Sequence, residues 1–246
     1  MANPSYTLQQ SISFAQTFIQ YSPLAVGTGN EPALSLANEI QNMIVNPPFC
    51  WGWNRGENST YLTTAQTQDV TCAVTDFSFL EKVSLTGANG VVYQILDVYN
   101  NAALAKADTT AVKCNRPNAA CVTSITYGTS FKLRFMPVPD AAYTINLVYQ
   151  KLVTPLSTLT GATGTWAIPD QYLDIYNNLF VGEAMANVDD SRANQYRQRG
   201  VAALIAKSEG LSEMQINAFL AQYWARTSQG QYKTLRTQQG AQAGSI

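Results

Sequence analysis

Apolar residues recur along this chain with two different periods, and the change of period marks its plan. From Leu8 to Ile19 the positions Leu8, Ile12, Ala15 and Ile19 fall on one helical stripe, with Phe14 and Phe18 beside it. After a break, Asn30, Glu31 and Pro32 have the chemistry to cap and start a second helix. In that helix Leu36, Ile40, Met43 and Ile44 keep helical spacing until Asn46, Pro47 and Pro48 stop it. From Phe49 to about Val153 the period becomes two, in short runs separated by turn residues. The runs are Phe49 to Arg55, Ser59 to Thr64, Asp69 to Val74, Leu80 to Leu85, Val91 to Val98, Cys121 to Tyr127, Phe131 to Met136 and Tyr143 to Tyr149. About eight strands at this spacing predict a sandwich or a strongly curled sheet. The interval from Asn100 to Ala120 reads either as a strand pair or as a long loop.

Helical periodicity returns after Trp166. Pro169 suits a first helical turn and Asp170 suits the positive end of a helix dipole, so a helix is expected from Asp170 to about Val188. It is apolar round most of its circumference, through Leu173, Tyr176, Leu179, Phe180, Val181, Ala184, Met185 and Val188. A helix with so little polar face is surrounded, either at the centre of a bundle or against a neighbouring subunit. Asp189, Asp190 and Ser191 end it and cap the next, which carries Arg192, Arg197, Arg199 and Lys207 around a narrow stripe of Ala193, Tyr196, Ala203 and Leu204. Gly210 stops that helix, and Ser212 with Gln215 forms a capping-box pattern for a last one through Phe219, Leu220, Tyr223 and Trp224. Residues from Arg226 onward are rich in Gln, Gly, Ala, Ser and Thr, hold no acid and bury little, which predicts a tail disordered on its own.

The fold expectation is α+β: a helical bundle built from N- and C-terminal segments, with a large antiparallel β-sandwich inserted between them. The expected segments are 1–47 and 155–226 for the bundle, 48–154 for the insertion and 227–246 for an extended arm.

Composition narrows the function. Only 13% of residues are charged and the formal net charge is −1, so neither nucleic acid nor an anionic membrane is an obvious partner. The basic helix and tail leave room for non-specific contact with passing DNA. Thirteen tyrosines and four tryptophans suit permanent protein contacts, although ordinary cores also use them. No run approaches the roughly 20 apolar residues of a membrane helix, and the first residues lack the pattern of a secretory signal, so the expected compartment is a cytoplasm.

Candidate chemistry is sparse. The chain has no histidine, which removes the common triads, histidine metal sites and the commonest general base. Cys50, Cys72, Cys114 and Cys121 lack metal-ligand spacing; Cys114 and Cys121 bracket a loop that a disulfide would close, but reduced, partly buried thiols are the favoured reading. Asp69, Asp76, Glu81 and Asp97 lie in the β region without a spacing that singles out an acid–base pair. No phosphate-binding glycine loop is present. The expectation is a protein without catalytic, cofactor or metal site. A receptor- or glycan-binding β-sandwich using Trp51, Trp53 and Tyr61 in a groove is the alternative.

Three stretches carry a resemblance: Pro47 to Arg55, Arg134 to Tyr143 and Trp166 to Tyr172, set in the order helices, β domain, helices. Together they resemble bacteriophage head-to-tail adaptors of short-tailed phages, the structural proteins that join portal to tail. The resemblance implies a virion protein assembled in the host bacterial cytoplasm as a dodecameric ring. Its bundle would pack side by side, its β domain would meet a tail nozzle or fibre protein, and its ring would serve DNA ejection through the exit channel. The tail would dock on the portal, with Arg226, Tyr232, Lys233, Leu235, Arg236 and Ile246 as the arm. The large β insertion and the segment from Asn100 to Cys121 depart from the pattern. A closed ring needs two different complementary faces per subunit. The expected face residues are Leu173, Tyr176 and Phe180 of the apolar helix and Arg192, Arg197 and Arg199 of the basic one.

Overall fold

The computed structural model describes residues 5–19, 33–100, 114–188 and 190–225. The proposed cap at Asn30 to Pro32, most of the uncertain interval after Asn100, Asp189 and the tail from Arg226 lie outside the described residues.

Two helices open the chain. Helix α1 spans Leu8–Gln16, and its stripe of Leu8, Ile12 and Ala15 is fully buried. Thr7 and Gln10 close a reciprocal capping box at its start, Gln10 Oε1 accepting the Thr7 N–H at 2.8 Å. Helix α2 spans Ala33–Val45. The run expected as a strand from Phe49 is instead a 3-10 turn at Gly52–Asn54 that leads into β1, Arg55–Leu62. Phe49 and Trp51 face the helices there, and the Trp51 indole donates to the Ile44 carbonyl at 2.7 Å.

The remaining strands are β2 (Asp69–Cys72), β3 (Phe77–Thr86), β4 (Val92–Gln94), β5 (Asp97–Tyr99), β6 (Ala119–Thr126), β7 (Ser130–Met136) and β8 (Thr144–Lys151). They form two four-stranded sheets, ordered β1-β8-β3-β4 and β2-β7-β6-β5. The run expected as one strand from Val91 to Val98 is divided between the two sheets. Its second half pairs parallel with β6, Asp97 opposite Ala119, so the sheets are antiparallel except at that edge. Inward residues from both sheets, including Val83, Leu85, Leu133, Phe135, Ile145 and Leu147, share one apolar core. Phe77 and Phe131 stack across it with centroids 3.8 Å apart. Gly56 is required on β1, because a Cβ there would lie 2.5 Å from the Tyr149 ring of the neighbouring strand.

After β8 the chain returns to the helices. Asn38 of α2 exchanges two hydrogen bonds with the Leu156 backbone, at 2.7 and 2.9 Å, and Gln41 bonds Thr154 and Ala167. A 3-10 turn at Asp170–Tyr172 leads into α3, Leu173–Ala186; α4 spans Ala193–Lys207, and a last helix, α5, covers 213–225. The capping box expected for α5 is formed, with Ser212 Oγ and Gln215 Oε1 2.9 Å apart. A second core collects apolar residues of α1, α2, α3, α4, α5 and the connecting segments, separate from the core of the sheets.

Candidate functional site

Helix α3 is the axis about which the helices are arranged. Ile175, Tyr176, Leu179, Phe180, Val181, Ala184 and Met185 have no exposed surface, so of the two environments that its sequence allowed it occupies the centre of its own chain's core. Around it, Phe18, just after α1, packs on Tyr196 of α4 with centroids 5.6 Å apart. α4 meets α5 at Glu183 of α3, which takes the Arg197 guanidinium in a fork at 3.0 and 2.5 Å and accepts from the Tyr223 hydroxyl at 3.2 Å. α5 faces α2 across a groove, and α2 touches α1. The aromatic contact after α1 and the groove between α2 and α5 are therefore built from different helices.

These placements bear on three of the six expected face residues. Tyr176 and Phe180 are sealed inside the subunit, and Arg197 is 8% exposed and committed to Glu183. An apolar circumference is satisfied by helices of the same chain as readily as by a second subunit. Leu173 is half-buried, and Arg192 and Arg199 are exposed. These three gather at the α1/α4 seam. The Arg199 guanidinium stands 5.6 Å from the Tyr196 ring centre, Phe18 packs on Tyr196, and Phe14 packs edge-on against Phe18 at 5.2 Å. Arg192 donates to the Phe18 carbonyl at 2.9 Å and pairs with Asp190, whose carboxyl those bonds hold at about 2. Beside Phe14 a groove of 500 Å³ is lined by Leu173, Asn177 and the Asp174–Lys207 pair, among others. The arm residues Arg226, Tyr232, Lys233, Leu235, Arg236 and Ile246 lie outside the described residues.

Between α2 and α5, a groove with a volume of 670 Å³ is lined by Asn38, Glu39, Asn42, Met43, Phe219 and Gln222 among others. Its lining includes one carboxylate, Glu39. Sequence reading missed this groove, since its lining comes from two helices far apart in the chain.

It also missed how firmly the sheets are tied to the helices. Arg55 of β1 forks onto Glu81 of β3, at 2.9 and 2.5 Å, and reaches Glu209 after α4 at 3.1 Å. Burial works against ionisation of Glu81, but bonds from Arg55 and Gln150 outweigh it, and the carboxyl stays below its usual range. At the start of the chain, the Asp170 carboxylate accepts the backbone N–H groups of Ser5 and Tyr6, at 2.9 and 3.1 Å, and the Ser5 hydroxyl. The acid expected to complement a helix dipole thus also fastens the N-terminal segment.

Three of the four β-region carboxylates have separate partners. Asp69 is forked by Arg134 at 2.7 and 2.8 Å, Asp76 accepts the Tyr149 hydroxyl at 3.0 Å, and Glu81 holds Arg55. Trp51 is 1% exposed, while Trp53 and Tyr61 are half-buried against the two cores, so they do not line an open glycan groove. All four cysteines are free thiols; burial pushes Cys50 up to about 11 and Cys72 to about 12. Among the described residues no group of three or more acids and cysteines is placed to hold a metal ion, and no helix is long and apolar enough to cross a membrane.

An α+β chain with two separate cores, and with its polar groups spent on holding the helices and sheets together, has the build of a structural protein. The chain belongs to the SU10 adaptor protein family, which matches residues 9–230. It is accordingly a phage adaptor, a structural component of the virion. No curated protein matches the chain.

Proposed function

We propose that this adaptor forms the ring that joins the portal to the tail and closes and guides the DNA exit channel. The observation that carries this reading is a pair of unlike surface features on different helices, the aromatic row of Phe14, Phe18 and Tyr196 and the groove between α2 and α5, since a head-to-tail ring requires two different faces on each copy. The N-terminal segment to about 47 and residues 155–226 serve as the ring-forming bundle. Residues 48–154 serve as a β-sandwich that meets a tail nozzle or fibre protein. Residues 227–246 with Arg226 serve as the arm on the portal, with Arg226, Lys233 and Arg236 supplying charge and Tyr232, Leu235 and Ile246 supplying apolar contact. An arm that orders on docking spreads the contact over a second protein at a cost in entropy.

Native mass spectrometry of the full chain, alone and with its portal, tests the reading. A complex of twelve adaptors on the portal is expected, with only non-specific affinity for DNA. A chain that stays monomeric and unbound in the presence of portal overturns it. Deleting residues 227–246 is expected to abolish docking and leave the fold intact; unchanged affinity removes the arm from the account.

A further inference from the structure

We propose that Asn89, at the tip of the β3–β4 hairpin, is a site of spontaneous deamidation, in which the backbone nitrogen of Gly90 attacks the Asn89 carboxamide. The inference does not depend on the ring reading above. Asn89 and Gly90 form the only Asn-Gly pair in the chain. Both residues are exposed, in the turn that brings Thr86 of β3 opposite Val92 of β4.

The local geometry favours the attack in three ways. Gly90 has φ +77° and nothing lies within 4 Å of the place a Cβ would take, so its nitrogen is approached without hindrance. Asn89 Oδ1 accepts the Val91 N–H at 3.1 Å. That bond closes a ring of atoms that includes the Gly90 nitrogen, which holds the carboxamide carbon beside the group that must reach it. The same Val91 N–H polarises the carboxamide carbonyl and stabilises the negative charge that develops on its oxygen. One contact opposes these effects. The Gly90 N–H donates to the Gly87 carbonyl at 2.9 Å, so this turn bond has to open before the nitrogen can lose its proton.

The step needs only water and hydroxide. Hydroxide takes the Gly90 amide proton, the bond from that nitrogen to Asn89 Cγ forms, and the Cγ–Nδ2 bond breaks. The departing nitrogen takes a proton from water and leaves as ammonia. Water then opens the cyclic imide at either carbonyl, giving aspartate or isoaspartate. Both products add a negative charge to the tip, and isoaspartate also lengthens the main chain by a carbon, which displaces the Gly87–Gly90 turn.

Asn58 is an internal reference. Its Oδ1 accepts the Thr60 N–H at 2.9 Å in the same way, but Ser59 stands where Gly90 does. Full-length protein is incubated at mildly acidic and mildly alkaline pH, and peptide mapping with fragmentation that separates isoaspartate from aspartate reads each asparagine. Conversion is expected at Asn89, faster in alkali, with Asn58 lagging. In the folded chain it is expected to run about fivefold slower than in urea, the worth of one net hydrogen bond. Asn89→Gln, which would have to close a larger ring, is expected to remove it, with thermal melting confirming that the variant is folded. A folded chain that keeps Asn89 intact while the unfolded chain converts it overturns the site, because the turn then protects what it exposes. Conversion of Asn58 as fast as Asn89 overturns it as well, since Gly90 would then contribute nothing.

Discussion

The carboxamide of Gln150 holds the backbone of Trp51 from both sides. Its Oε1 accepts the Trp51 N–H at 3.2 Å and its Nε2 donates to the Trp51 carbonyl at 3.3 Å. Gln150 belongs to β8 and Trp51 to the core of the helices, so this pair fixes how the sheets stand on the helical layer. The same Nε2 also reaches Glu81, which Arg55 links onward to Glu209. Gln150 is fully buried, and water does not readily replace it. Gln150→Leu leaves the Trp51 N–H unpaired, and urea unfolding is expected to show a loss of about 1–3 kcal/mol. A loss under about 0.5 kcal/mol would mean that the amide contributes no net grip.

Acid should weaken the β region through Asp69 and Glu81. Asp69 is held below its ordinary value of 3.8 first by hydrogen bonds from Arg134, against some burial. Glu81 is burdened first by burial, yet Arg55 and Gln150 bring it below its ordinary 4.5. A carboxyl depressed in the folded state adds stability that is complete above its unfolded value and is lost as pH falls through the folded value. Unfolding midpoints are therefore expected to be indifferent to Asp69 above its ordinary value of 3.8 and to fall below it. Asp69→Asn should be less stable at neutral pH and show a shallower acid decline; an unchanged acid slope would remove this pair from the explanation.

Two glycines set the spacing between α3 and α4. A Cβ at Gly182 would lie 2.8 Å from the Arg197 nitrogen, and one at Gly200 would lie 2.6 Å from Leu179 Cγ. Elsewhere in a helix, Gly→Ala gains about 1 kcal/mol from propensity. Here overpacking should win, and Gly182→Ala and Gly200→Ala are each expected to cost about 1–3 kcal/mol in urea unfolding. A gain in either variant would show that the helix pair separates without penalty.

How much of this was legible in the sequence depends on the range of each interaction. Periodicity found α1 within a few residues and placed Leu8, Ile12 and Ala15 inside, since a stripe is a local property. It placed a run on every strand, yet it ran β4 and β5 together. The residues between them, Ile95 and Leu96, carry the chain from one sheet to the other without any turn residue to mark the crossing. Phe49 and Trp51 read as strand because aromatics favour strands, but here they anchor the helices. Arg197 read as a subunit-face residue on a basic helix. Its partner Glu183 lies on the preceding helix, and only the α3–α4 packing brings the two together. The groove between α2 and α5 was invisible for the same reason.

Tyr176 offers the sharpest separation between a core residue and a contact between subunits. Its ring stacks on Trp166 with centroids 4.8 Å apart, and its buried hydroxyl has no hydrogen-bond partner among the described residues. Burial pushes the phenol well above its ordinary value, so the group stays neutral. An unpaired buried hydroxyl costs the water it gave up, while the ring supplies the packing. Tyr176→Phe removes the hydroxyl and keeps the ring. It is expected to stabilise the protein by about 1 kcal/mol, seen as a higher urea midpoint at unchanged slope, and to leave the assembled mass untouched. A residue facing a neighbouring copy would give the reverse pattern, with unchanged monomer stability and weakened assembly. That result would move α3 from the centre of the subunit to its surface.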